Sequence, residues 1–172
     1  MKFSQFLVVA AAMATMVSCC STSSVYREAP SGLIDEAKPL YLAYQFLEQG
    51  DFTKYKMVLS KHWRKYVERE SRIDPKFLIN YRKSGMNDYS DRYTRKYYTL
   101  SQWRQIEPSE APNTFDTDKL ATNQQFVITS APPVSSGSSV ARHSSAAVVV
   151  FEDGYWRLDD GLAGYRPQAD AH

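Results

Sequence analysis

The stretch "SSAAVVVFEDGYWRLDD", residues 144–160, constrains the fold more than any other part of the chain. From Ser144 to Phe151 the side chains are small or apolar on both parities, a pattern suited to an interior strand covered on both faces. Glu152, Asp153 and Gly154 then give a tight hairpin turn, and Tyr155 to Leu158 returns as a short strand with Trp156 and Leu158 on one face. Upstream, "QQFVITS" from Gln124 to Ser130 reads as another strand. The "APPVSSGSSVA" that follows it reads as an exposed loop of Pro, Gly and Ser. From Arg92 to Ile106 the residues Tyr93, Arg95, Tyr97, Thr99, Ser101 and Trp103 share one parity, which predicts a long strand.

Helices precede these strands. Pro39 suits a first helical turn, "LYLAYQFLEQ" is apolar almost all round, and Gly50 supplies a left-handed stop. Asp51 is then an N-cap, and Phe52, Tyr55, Leu59, His62, Trp63 and Tyr66 recur at three- and four-residue steps. That spacing predicts one amphipathic helix running to about Glu68, with Lys and Arg on its other face. A third helix starts at Asp74-Pro75, carries Phe77, Leu78 and Tyr81, and stops before Gly85. Helices first and strands afterwards give an α+β class, with the helices on one face of a strongly curved antiparallel sheet.

The chain begins with a charged Lys2, an apolar run from Phe6 to Val17 and a small Ser18. This is the layout of a secretory signal, too short for a comfortable span of about 20 residues. The two cysteines of the chain, Cys19 and Cys20, follow at once. Neighbouring cysteines make a poor disulfide, and no third thiol could accept a bridge. Met16-Val17-Ser18-Cys19 resembles the bacterial lipobox. The resemblance implies a signal peptide over 1–18, cleavage before Cys19, and palmitate-type acyl chains that hold Cys19 in the membrane. It also implies the cell envelope, and in a diderm the periplasmic face of the outer membrane, since Cys20 is not the aspartate that retains a lipoprotein at the inner one. The polar, aperiodic residues 19–34 read as a flexible tether, 35–165 as a single α+β domain, and 166–172 as a disordered tail.

"YLAYQFLEQGDFTKYKMVLSKHW" and "AAVVVFEDGYWRLDDG" resemble the opening helical pair and the closing hairpin of the nuclear transport factor 2-like superfamily. The resemblance implies a cone with a pocket between helices and curved sheet. Some members use that pocket for isomerase or dehydratase chemistry, and many lipoprotein members have no known reaction. No catalytic residue of the superfamily maps onto this chain.

His62 would serve as a general base if it faced a pocket, but its place on the stripe of Tyr55, Leu59 and Tyr66 favours a core or boundary histidine. Asp153, Asp159 and Asp160 flank the last strand, where Asp ordinarily makes local hydrogen bonds. Three scattered His and no remaining thiol give no zinc-ligand spacing, and no cofactor motif is present. Charge is uneven: Lys61 to Arg104 holds twelve Lys and Arg against five Asp and Glu, whereas Gln105 to His172 holds four against nine. Within the basic stretch, Arg92, Arg95, Lys96, Tyr97 and Trp103 interleave cations with rings. Export argues against nucleic acid as their target, which leaves a solvated face or a site for an envelope protein or an anionic lipid or glycan. The expected function is therefore that of a non-enzymatic envelope lipoprotein that binds a partner. The alternative is a pocket enzyme of isomerase, dehydratase or hydrolase type acting on a small apolar molecule.

Overall fold

The computed structural model describes residues 21–85, 95–107, 117–130, 134–136, 139–141 and 144–159. The helices are α1 (Thr22–Tyr26), α2 (Lys38–Gln49), α3 (Phe52–Met57), α4 (Lys61–Ile73), α5 (Phe77–Gly85) and α6 (Leu100–Ile106), with 3-10 turns at Asp35–Ala37 and Thr117–Lys119. The strands are β1 (Lys96–Thr99), β2 (Gln124–Ser130), β3 (Val134–Ser136), β4 (Ser139–Ala141), β5 (Ser144–Glu152) and β6 (Tyr155–Leu158). β1-β2-β5-β6 form a curled antiparallel half-barrel, and β3 and β4 pair separately inside the stretch expected to be a loop. The chain is thus α+β, with β5 in the interior of the sheet as its two-sided apolar pattern requires. Asp153 (φ 51°) and Gly154 (φ 80°) are both left-handed, the backbone that a two-residue hairpin matching strand twist needs.

α2 follows its signals. Pro39 lies in its first turn, Gly50 at φ 74° ends it, and eight of its twelve residues are buried. Asp51 caps α3 by accepting from the Lys54 amide at 3.0 Å. The single helix expected over 51–68 is instead two, broken at Val58–Ser60. There the chain lies along the outer edge of β6: the Leu158 amide donates to the Val58 carbonyl at 2.9 Å, and the Ser60 amide donates to the Leu158 carbonyl at 2.8 Å. Sheet-edge bonds replace helical ones, and the Ser60 hydroxyl then caps α4 by accepting from the Trp63 amide. The break resets the helical phase, so α4 buries Trp63 and Val67 and leaves His62 exposed.

Two further expectations are corrected. The strand predicted to run to Ile106 ends at Thr99, because Thr99 and Gln102 form a reciprocal capping box that starts α6. The tether predicted over 19–34 is packed against the domain from Ser21 onward. Ser21 caps α1, Val25 is fully buried, and the Tyr26 hydroxyl donates to the Trp156 carbonyl on the outer edge of β6. The Tyr26 ring lies 5.1 Å from Tyr155, and Glu28 pairs with Lys54 at 2.8 Å. An apolar Val-Tyr pair is enough to dock this otherwise polar segment, and with the 58–60 connector it covers an edge that would otherwise be open to pairing.

The sheet is covered on both faces rather than one. On the first, Val127, Val149 and Leu158 pack with Leu42, Phe46, Tyr55, Leu59 and Trp63. On the second, Phe126, Ile128 and Val148 pack with Trp103 of α6. The signal segment, Cys19, Cys20, Arg92 and the tail lie outside the described residues.

Candidate functional site: a polar cleft beside α6

The first face of the sheet carries the larger buried cluster among the described residues. Tyr55 fills the space among the helices with none of its surface exposed, and this burial pushes its hydroxyl pKa up to about 12. Phe46, Leu42, Val127 and Val149 belong to the same buried cluster. Between helices and sheet, where the superfamily resemblance implies a pocket, the described side chains form this buried cluster.

Open space occurs on the second face. The capping box at Thr99 turns the chain from β1 into α6, and the 3-10 turn at Thr117–Lys119 leads back into β2. Gln124 braces this return: its carbonyl oxygen Oε1 accepts from the Ala121 amide at 2.9 Å, and its Nε2 donates to Asp159 Oδ2 at 2.6 Å. The two returns enclose a cleft of about 380 Å³. Its polar wall is Thr99, Ser101, Thr117, Gln124, Gln125 and Arg104, and its apolar floor is Leu100, Leu120 and Phe126. The Thr99 and Ser101 hydroxyls share a hydrogen bond at 3.0 Å. Arg104 is exposed and forms no ion pair among the described residues. The arrangement is one guanidinium fork, several hydroxyls and amides, and an apolar base.

The basic strand does not present its cations and rings together. Arg95 precedes β1 half-buried and Lys96 is exposed, and alternation along the strand puts them on opposite faces. Tyr97 is half-buried on the helix side, edge-on to Tyr41 at 6.3 Å between ring centres. Trp103, expected as a stacking surface, is 2 % exposed and packs on Tyr98 at 5.5 Å, so no ligand can stack on it. Arg92 lies outside the described residues. Arg104 escaped the sequence reading because the strand pattern was carried past Thr99. The Thr99-x-x-Gln102 spacing was the signal that would have turned the chain and pointed to it.

His62 sits exposed on the solvent side of α4. Asp153 takes a hydrogen bond from Lys61 Nζ at 3.0 Å, which holds its carboxyl below the usual carboxylate range. Glu152 accepts from the Lys61 amide at 2.9 Å, so the hairpin turn is pinned to the start of α4. Among the described residues no group of three or more His, Cys, Asp or Glu could hold a metal ion, and no helix is long and apolar enough to cross a membrane. No protein-family model, curated protein or solved structure matches this chain.

Proposed function

We propose that this chain is a non-enzymatic envelope lipoprotein, acylated at Cys19, whose domain binds an anionic glycan in the cleft beside α6. One observation carries the reading: the open cleft offers a guanidinium without an ion-pair partner among the described residues, hydroxyls and amides around it, and an apolar floor. An acidic sugar is complementary to all three. Its carboxylate suits the Arg104 fork, its hydroxyls suit Thr99, Ser101, Gln124 and Gln125, and a C–H face of its ring suits Leu120 and Phe126. Lys96 lies on the same sheet face as Tyr98, whose side chain joins the α6 core, so it extends the positive charge along a longer acidic chain.

The domain is read as a divergent nuclear transport factor 2-like cone. Helices followed by a curled antiparallel sheet and a closing hairpin support this reading. On this reading the ligand site lies on the outer face, beside α6. Of the two bases the enzyme alternative could use, His62 or a pocket tyrosine, His62 is exposed on α4.

Titration of the detergent-solubilised protein with glucuronic acid oligosaccharides tests the proposal, with neutral glucose oligosaccharides as the comparison. The acidic series should bind and the neutral series should not. Arg104→Gln should weaken binding by roughly 10- to 100-fold, the value of a hydrogen bond to a charged group. Equal binding of both series, or an Arg104→Gln protein that binds as the parent does, would overturn the proposal.

A further inference from the structure

The cleft and the first described residues lie on different parts of the sheet. In the order β1-β2-β5-β6, the cleft belongs to β2 and to the β1–α6 turn, whereas α1 is docked on the outer edge of β6. Two strand intervals separate β2 from β6, about 10 Å of sheet before side chains are counted. α1 is firmly attached there: Val25 is fully buried, Tyr26 bonds to the Trp156 carbonyl, and Glu28 pairs with Lys54. Burial also drives the Tyr26 hydroxyl pKa far upward. Cys19 is two residues from Ser21, the cap of α1, a covalent reach of at most about 7 Å. An acyl group on Cys19 therefore has almost no slack between the membrane and the core.

We infer that the anchored domain rests directly on its membrane by the α1 and β6 edge, with the α6 cleft held on the far side of the sheet and open to ligands that are not lipids of that membrane. The inference rests on the reading of Cys19 as the acylated residue. It narrows the partner from any anionic envelope component to one that reaches the protein from the aqueous side. A headgroup of the anchoring leaflet would have to climb past two strands to meet Arg104.

The test uses the full acylated protein in vesicles of phosphatidylethanolamine and phosphatidylglycerol carrying nitroxide-labelled headgroups. In a Cys20→Ala background, a fluorophore is attached at Ser23→Cys on α1 or at Ser101→Cys in the cleft. The label at 23 should be quenched several-fold more than the label at 101. A Gly/Ser spacer of about a dozen residues before Ser21 should abolish most of that difference. Equal quenching at both positions, or no effect of the spacer, would overturn the inference. Mass spectrometry of the same preparation shows whether Cys19 is acylated. An unmodified Cys19 sinks the anchoring and this inference together, whereas an acylated protein with equal quenching sinks the inference alone. Glycan titration reports on the cleft independently of both.

Discussion

The two faces of the sheet are made by the same strands and are packed differently. Val127 and Val149 look toward the helices and are fully buried in a continuous aromatic and aliphatic core. Phe126 and Val148, one residue away in each strand, look toward α6, whose seven residues cover only part of their face and leave the cleft at the border. The difference teaches that strand parity separates the larger core from the face that carries the open cleft, where we place recognition. One face carries most of the folding energy, and the other can expose a polar cleft because it is not asked to supply it.

The largest expected effect is on the helix face. Phe46→Ala should cost about 3 to 5 kcal/mol, the usual cost of emptying a buried aromatic site, read by chemical denaturation. If it cost under about 1 kcal/mol, the helix face would not be the main core and the comparison would fail. Next comes alkaline pH. Tyr55 keeps its proton to about pH 12 when folded and loses it near pH 10 when unfolded, so its share of stability is intact below pH 10 and lost as pH rises toward 12. That share is about 2 to 3 kcal/mol, and Tyr55→Phe should flatten the denaturation profile over this window. An unchanged profile would show that Tyr55 is hydrated.

Smaller effects belong to the α6 face. Thr99→Ala removes the capping box and should cost about 1 kcal/mol, with weaker ligand binding because α6 forms one wall of the cleft. Arg104→Gln should leave stability within about 0.5 kcal/mol of the parent, since the side chain is exposed, while binding falls. His62→Gln should change neither. An effect of His62→Gln on binding would relocate the site to α4.

Much of this architecture was legible in the sequence because short-range signals coincided with the tertiary outcome. The hairpin at 152–155, the interior position of β5, the ends of α2 and the cap at Asp51 all follow from local backbone chemistry. Two features, Val58–Ser60 and Ser21–Tyr26, were hidden by remote partners, and α6 was masked because its local capping signal competes with a longer periodic run. The apolar steps from Phe52 to Tyr66 continue across a helix break that only the edge of β6 imposes. The alternation from Arg92 to Trp103 runs over a capping box, so the basic strand was drawn with Trp103 on its surface when that ring is core. Val25 and Tyr26 stand alone among polar residues, and no periodicity could announce their docking on β6. The cleft shared the fate of α6: with the helix missed, Arg104 had no place.

The most direct test of the separation is to map where ligand lands. Amide chemical shifts of the isotope-labelled protein, followed during titration with a glucuronic acid oligosaccharide, should move for Thr99 to Arg104 and for Leu120 to Phe126, and stay fixed for Leu42, Tyr55 and Val149. Shifts concentrated at Leu42, Tyr55 and Val149, with the α6 residues unmoved, would contradict it by placing the binding site inside the helix-side core.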